Sequence, residues 1–223
     1  MAKAFRITPT RRIDPVLQDA VKRHARHAGE IIWCWNILHD QLFELLAALL
    51  IDRAEVRARL VAYAMWTPIQ SDSLKRELVK EVAAGVLTSE PKVLDAVNWL
   101  LDRTSDLATH RNDVAHVPVK FAFIGAITGR PPRVMLSPMS GSGRKAAIDR
   151  LLGQPTAETW RRVRGDLMAL SRYAFFLSSN IRGIERAPWP RKPRLLCVQA
   201  KKKKRPKKGR RKQPKSPPPP PSS

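Results

Sequence analysis

The side chains in this sequence that are best suited to chemistry lie in one short run, Arg111-Asn112-Asp113-Val114-Ala115-His116. A helical apolar stripe that begins at Val93 reaches Arg111, which should therefore face the interior of the protein. A buried guanidinium is costly unless it is paired with an anion or placed at a water-accessible cleft. Asn112 and His116 are four residues apart and share a helix face, a fraction of a turn from Arg111. The three side chains are therefore expected to converge on one rim at the C-terminal end of their helix.

The chemistry that these residue types support is cleavage of an RNA phosphodiester by the RNA's own 2′-hydroxyl group. His116 falls in the last turn before Pro118, where the negative end of the helix dipole favours the charged imidazole. A histidine can move the proton, and the Arg111 guanidinium can stabilise the charge that builds on the phosphoryl oxygens, without a metal. The alternative is structural: both side chains cap the last carbonyl groups, and Arg111 pairs with Asp106 or with an acid of another helix.

The run from Arg111 to His116 resembles the signature of the HEPN (higher eukaryotes and prokaryotes nucleotide-binding) family. That signature is an arginine, commonly followed by a polar residue, and a histidine after four to six intervening positions near the end of a bundle helix. Here the gap is four and the polar residue is Asn112. The segment from Trp35 to Phe43 is also similar to the first bundle helix of such proteins. The likeness covers roughly residues 14–184, whereas the insertion over residues 119–155 and the basic tail lie outside the family pattern.

The resemblance implies a function and partners. Many family members are metal-independent endoribonucleases that dimerise, so that two copies of the motif line one cleft, and toxin–antitoxin and antiviral contexts are common. By that likeness, Arg111 and His116 would be catalytic and Asn112 would be a supporting polar group. The expected substrate is RNA, the expected assembly is a homodimer, and an antitoxin-like protein partner is also implied. Neither a cofactor nor a metal is expected.

Other candidate sites in the sequence give weaker signals. His24, His27 and Glu30 have helical spacings that could hold a metal, but their surroundings are rich in Lys and Arg and predict a solvated face. Cys34 and Cys197 form no CxxC pair and predict two reduced thiols. His39 is interpreted as a half-buried histidine that could join a polar pocket. Five tryptophans are interpreted as core residues rather than base-stacking platforms: Trp33, Trp35, Trp66, Trp99 and Trp160.

Four stretches with helical periodicity have to position these residues. They run from Asp14 to Leu50, from Arg53 to Val86 with a break at Thr67-Pro68, from Ser89 to Pro118, and from Thr156 to Ile184. Their apolar stripes are predicted to pack together as an all-α fold, an antiparallel helical bundle of about four main helices. The predicted stripes include Ile31, Trp35, Leu38, Leu42, Leu45 and Leu49; Leu74, Leu78, Val82 and Val86; and Trp160, Val163, Leu167, Leu170, Ala174, Leu177, Ile181 and Ile184.

The domain boundaries follow from composition. Residues 1–13 are predicted as an N-terminal arm, residues 14–185 as the bundle domain, and residues 186–223 as a disordered Lys/Arg/Pro-rich tail. The bundle carries a small insertion over residues 119–155 before its last helix. Within that insertion, β-prone runs on either side of residues 128–132 predict a hairpin, and a short helix is predicted over Arg144–Leu152.

The charge distribution favours a polyanionic partner. The chain has a formal charge of +23, and residues 186–223 hold 15 of its 42 Lys and Arg residues and none of its 19 acidic residues. Such a field attracts nucleic acid, with RNA favoured, although nuclear import or simple solubilisation are alternative roles for the tail. The predicted nucleic-acid-binding residues are Lys201, Lys202, Lys203, Lys204, Arg205, Lys207, Lys208, Arg210, Arg211 and Lys212.

Hydropathy argues against a membrane role. The longest apolar run, Leu45–Ile51, is far shorter than the ~20 residues of a membrane span, and no apolar stretch near Met1 predicts a secretory signal. The expected location is therefore cytoplasmic. Two alternatives to the ribonuclease hypothesis stay open: a noncatalytic helical module that binds nucleic acid, and a partner-binding bundle whose tail only aids solubility.

Overall fold

The computed structural model describes residues 15–50, 55–116, 119–124, 133–138, 156–183 and 189–197 of the chain. These residues form an all-α bundle with a two-stranded appendage, as the sequence predicts. The elements, in chain order, are α1 (Pro15–Leu49), α2 (Glu55–Trp66), α3 (Asp72–Val86), α4 (Pro91–His116), β1 (Val119–Ile124), β2 (Arg133–Pro138) and α5 (Thr156–Ile181). Among the helices described, none combines the length and the apolar character needed to cross a membrane.

Helix α1 is the central element, because it contacts each of the other four helices in the described part of the chain. Its first helical residue is Pro15, in agreement with the sequence prediction. The predicted apolar stripe from Ile31 to Leu49 is buried at every one of its six positions. The first half of α1 lies largely outside the core, whereas residues 42–49 are buried almost all round. The second half of α1 is therefore the part that organises the bundle.

Helix α5 lies against α1 and supplies the other long seam of the core. The predicted residues from Trp160 to Leu177 are all buried, which confirms the seam, while Ile181 is half-buried and Ile184 lies outside the described residues. Burial of one leucine side chain stabilises a fold by about 1.5–3 kcal/mol, so this seam is a principal source of stability.

Truncating Leu170, which is fully buried in this seam, should therefore be costly. We expect Leu170→Ala to lower the free energy of unfolding by about 2–5 kcal/mol, because the lost transfer energy and the cavity left behind add. Leu74→Ala is the matched control, since Leu74 is 59% exposed and its loss should change stability by less than about 0.5 kcal/mol. Urea denaturation of the two variants would measure the difference, and equal destabilisation would contradict the assigned core.

The break at Thr67-Pro68 is confirmed, since α2 ends at Trp66 and α3 begins at Asp72. The Thr67 hydroxyl donates to the Tyr63 carbonyl over 2.8 Å and closes the end of α2. Ser71 occupies the N-cap position of α3, but its hydroxyl pairs with that of Ser73 at 2.7 Å instead of capping the helix.

The apolar stripe predicted for α3 is confirmed only in part, since Leu78 and Val82 are half-buried against the core. Leu74 and Val86 are 59% and 51% exposed, and the buried apolar residues of this helix are Val79 and Ala83. The inner face is thus displaced by about one residue, or roughly 100° around the helix. The displacement arises because the N-terminal half of α3 turns the charged side chains of residues 72 and 76, rather than leucines, towards α1.

The predicted hairpin in the insertion is confirmed. Strands β1 and β2 pair antiparallel with Val119 opposite Pro138 and Ile124 opposite Arg133, and β2 contacts α1. The short helix predicted over Arg144–Leu152 and the N-terminal arm, residues 1–13, lie outside the described residues.

The prediction that residues 186–223 form a disordered tail is wrong for residues 189–197, here called the strap. The buried carboxylate of Asp166 on α5 accepts backbone N–H hydrogen bonds from Leu196 at 2.8 Å and from Cys197 at 2.7 Å. Lys192 forms an ion pair with Asp95 of α4 at 2.7 Å. Pro-rich composition did not reveal this docking, because it depends on one acidic residue elsewhere in the chain. The predicted nucleic-acid-binding residues 201–212 lie outside the described part.

Candidate functional site

Helices α1, α3 and α4 meet around the indole ring of Trp35. This residue is only 2% exposed, and its Nε1 donates to the Asp72 Oδ2 over 3.0 Å. His39 lies one turn further along α1, with its ring centroid 4.8 Å from that of Trp35. Together with Arg76 and Arg111, these residues are called the Trp35 cluster below. The indole is thus the fixed wall against which the polar groups of three helices are arranged.

Two guanidinium groups flank this wall from different helices. The Cζ atoms of Arg76 on α3 and Arg111 on α4 each lie 5.9 Å from the Trp35 ring centroid. The Arg76 Nε donates to the Ser105 hydroxyl over 3.1 Å, which ties α3 to α4. Its NH1 group is buried, as is the Nε of Arg111, and neither has a hydrogen-bond acceptor among the described residues. Each arginine therefore retains donor capacity inside the cluster.

The structural alternative for Arg111, an ion pair with Asp106, is not observed. Asp106 lies 2.9 Å from the Arg103 guanidinium instead. Within the described ranges, no carboxylate oxygen lies within 4 Å of Arg111. The Arg111 NH1 donates instead to the Asn112 side-chain oxygen over 3.0 Å. A half-buried guanidinium held only by a neutral amide is poised to accept an anion.

His39 is held in its neutral form. The side chain is 11% exposed, and burial lowers the pKa of its imidazole to about 4. The positive charges of Arg76, Lys75 and Arg111 lower this pKa further, while the carboxylate of Asp72, at 3.7 Å from Nδ1, opposes the change. Burial also lowers the pKa of the Arg76 guanidinium. The cluster therefore disfavours additional positive charge, as expected where cations already outnumber carboxylates.

The electrostatic balance of the cluster favours an anionic ligand. Three cationic side chains, those of Lys75, Arg76 and Arg111, and one carboxylate, that of Asp72, act on the His39 imidazole. The Lys75 ammonium lies 5.0 Å from the Trp66 ring centroid and marks the α2 side of the cluster. Unsatisfied buried donors cost about 1–3 kcal/mol each, and an oxyanion would supply the missing acceptors. A phosphate group fits this donor set, because guanidinium groups bind phosphate oxygens through two parallel N–H bonds.

The structure places the residues of the predicted site in different surroundings. Arg111 is half-buried in the cluster, and Asn112 is exposed beside it with its side-chain oxygen on the guanidinium. His116 is the last residue of α4, and the position of its side chain lies outside the described residues. His39 is half-buried in a polar pocket, in agreement with the sequence interpretation. Asp72, Lys75 and Arg76 were not predicted from the sequence. The one feature that could have indicated them is the i, i+4 spacing of Asp72 and Arg76, which places both on the face of α3 that packs against α1.

Comparisons of the chain with protein-family models, with curated proteins and with solved structures found no match. The HEPN resemblance therefore rests on the motif from Arg111 to His116 and on the helical architecture that holds it.

Glu30, which the weaker metal hypothesis groups with His24 and His27, is bound to arginine side chains. The Glu30 carboxylate accepts hydrogen bonds from Arg26 at 3.0 Å and from Arg164 at 2.8 Å. In the part of the chain that the structure describes, no group of three His, Cys, Asp or Glu residues could hold a metal ion. This carboxylate is thus part of an arginine network, which explains why its pKa is lowered, first by the hydrogen bond from Arg26.

The prediction that all five tryptophans belong to the core is wrong for Trp33, which is 61% exposed. Trp35 and Trp160 are buried, and Trp66 and Trp99 are half-buried. Trp33 lies two residues from Trp35 and therefore on nearly the opposite face of α1, because two residues span about 200° of a helix.

Proposed function

We propose that this chain is a metal-independent endoribonuclease whose Trp35 cluster binds the scissile phosphate of RNA. The observation that carries the proposal is the pair of guanidinium groups, Arg76 and Arg111, that lie 5.9 Å from one indole with buried donors left unsatisfied. Electrostatic stabilisation by such fixed donors is the largest single contribution to many enzymatic rate enhancements. The motif that contains Arg111 adds His116 at the end of the same helix.

Each residue has a role in the proposed reaction. The RNA 2′-oxygen attacks the adjacent phosphorus as its proton passes to a base, and the bond to the 5′-oxygen breaks as that oxygen takes up a proton. His116 is the proposed proton carrier. Arg111 and Arg76 stabilise the phosphoryl oxygens, and Asn112 orients the Arg111 guanidinium. The products are a 2′,3′-cyclic phosphate and a 5′-hydroxyl end.

The partners belong to the same proposal. A homodimer would bring two copies of the motif to one cleft, and an antitoxin-like protein would restrain the activity. The basic residues 201–212 would attract RNA without sequence preference, because phosphate contacts made by Lys and Arg are largely independent of sequence. The proposed location is the cytoplasm.

A comparison of RNA with DNA of the same sequence in the presence of EDTA tests the proposal. We expect the full-length protein to cut the RNA and to leave the DNA intact, because DNA lacks the attacking 2′-hydroxyl. Cutting of both polymers, or cutting that stops in EDTA, would contradict the proposed chemistry.

RNA binding without cleavage is a second candidate function, and the buried donors of Arg76 and Arg111 favour it, because they suit a phosphate whether or not it reacts. With its pKa lowered to about 4 by burial, the His39 imidazole is neutral near pH 7 and cannot act as the general acid. The cluster by itself is therefore an anion-binding site. In that case RNA would stay intact but would bind less tightly when Arg111 is replaced by alanine.

A further inference from the structure

A second surface suited to nucleic acid lies between α5 and the strap. A groove with a volume of about 700 Å³ runs between one face of α5, carrying Arg172, Tyr173 and Phe176, and the strap residues Trp189 and Arg191. No residue of the Trp35 cluster lines this groove. It is called the strap groove below. None of its residues has a role in the proposed cleavage reaction.

The strap groove combines exposed aromatic rings with cations. Phe176 and Trp189 are 42% and 44% exposed, and both line the groove. Arg172 and Arg191 are exposed, and neither has a carboxylate partner among the described residues. Aromatic rings beside unpaired guanidinium groups are the pattern with which proteins bind single strands, because bases stack on the rings while the phosphates meet the cations.

The wall of the strap groove is fixed before any ligand binds. Lys192 is anchored to Asp95 at 2.7 Å and lies over the Trp99 ring, 5.8 Å from its centroid. Further along, the buried Asp166 carboxylate binds two strap N–H groups. The strap is thus held at two points, residue 192 and residues 196–197, and the Phe176 ring stands on helix α5. Both features lower the entropic cost of ordering the groove on binding.

The floor of the groove carries an unused polar atom. Tyr173 is 3% exposed and packs edge-on against Trp99 at 5.1 Å between ring centroids. Its hydroxyl is buried and has no hydrogen-bond partner in the described part of the chain. A buried hydroxyl without a partner costs free energy, so the described fold leaves a polar atom of the groove floor unused.

We propose that the strap groove binds an unpaired segment of RNA, with bases stacked on Trp189 and Phe176 and phosphates at Arg172 and Arg191. The choice of RNA rests on the proposed function, which this inference deepens by specifying a single-stranded region of the substrate. Trp99, which packs against Tyr173 of the groove, and Arg111 of the Trp35 cluster are twelve residues apart on α4, about 18 Å along its axis. A duplex is excluded, because its bases are already stacked and paired.

Binding of a noncleavable probe separates this inference from the cleavage hypothesis. A fluorescent single-stranded 2′-O-methyl oligoribonucleotide of roughly ten nucleotides suits the site sizes of such grooves. We expect Phe176→Ala and Trp189→Ala in the full-length protein to weaken its binding about tenfold by fluorescence anisotropy, since each removes a stacking platform. Trp33→Ala is the matched control, because Trp33 is 61% exposed and does not line the groove, and it should retain the affinity. Phe175 does not serve as a control, since its ring packs edge-on against that of Phe176 at 5.5 Å between centroids.

Three further variants and one further probe distinguish stacking from other effects. Trp189→Phe keeps a ring and should bind within about threefold of the wild type, whereas Arg191→Ala should lose more affinity than Arg194→Ala on the same strap. An abasic oligonucleotide should bind the alanine variants and the wild type equally. The inference is overturned if Phe176→Ala and Trp33→Ala bind the probe equally, or if the abasic probe shows the same losses.

Discussion

Replacing Arg111 by alanine is expected to slow RNA cleavage by about a hundredfold or more, with a small effect on folding. Removal of one preorganised donor to a developing oxyanion typically costs 10²–10³ in rate. Arg111 has no described carboxylate partner, so its truncation leaves no buried negative charge behind. Single-turnover cleavage, with folding checked by circular dichroism, measures the effect. Arg111→Lys should recover part of the rate, because a lysine restores the charge but not the two-pronged geometry.

Arg103 provides the control for this prediction. It lies on the same helix, but its guanidinium is already paired with Asp106 at 2.9 Å. Arg103→Ala should therefore lower stability modestly and leave the rate per folded molecule nearly unchanged. Equal loss of rate in both variants would show that truncating any arginine of α4 slows the reaction. That result would contradict a specific phosphate-binding role for Arg111. Arg76→Ala should resemble Arg111→Ala in rate, since both guanidinium groups flank the same indole.

Stability is expected to fall steeply as the pH is lowered from about 6.5 to about 4, and His39 makes the largest contribution. Burial also lowers the pKa of His24, which adds an effect in the same direction. The pKa of His39 is about 4 in the folded protein, against an ordinary value of 6.5. Between these values the unfolded chain binds a proton that the folded chain does not, so the free energy of unfolding falls with falling pH. The slope contributed by one such group is up to about 1.4 kcal/mol per pH unit, and the whole effect is roughly 3 kcal/mol.

Urea denaturation at several pH values measures this contribution. His39→Gln removes the titrating group, so its stability should vary much less between pH 6.5 and 4. His27→Gln is the control, since His27 lies on the same helix outside the Trp35 cluster, and it should keep the part of the slope that His39 contributes. A bound phosphate should also make the stability of the wild type less dependent on pH, because a nearby negative charge raises the pKa of the His39 imidazole. Parallel pH profiles for His39→Gln and wild type would contradict the assignment.

The fold could be predicted where apolar residues recur without interruption. The stripes of α1 and α5 are long and regular, so the burial of Leu38 and Leu170 follows from periodicity alone. The α2–α3 break follows from one proline. In α3 the same reasoning succeeded only in part. Leu78 and Val82 pack against the core, but Leu74 is exposed, because the inner face begins with Asp72 and Arg76. A hydrophobic pattern cannot predict an inner face that is made of charged residues. These residues face inward because they contact Trp35 of α1.

The candidate site could be predicted only in part, for a related reason. Arg111 was identifiable because a charge interrupts an apolar stripe on its own helix. Asp72 and Arg76 lie on a different helix, at 37 and 41 residues from Trp35 in the sequence, and spacing within one element cannot connect them. The strap was missed because the partner of its backbone, Asp166, is far from it in sequence. Contacts between distant segments are set by tertiary packing, which local composition does not encode.

Cleavage of a structured RNA in EDTA by the wild type and by His116→Ala, side by side, tests the central claim most directly. The account predicts that the wild type alone cuts the RNA and leaves 2′,3′-cyclic phosphate ends, because the proposed proton carrier is missing in the variant. His27→Ala, which alters a histidine outside the motif, should cut like the wild type. Intact RNA in every lane, or equal cutting by His116→Ala, would contradict the account and leave the Trp35 cluster as an anion-binding site without this catalysis.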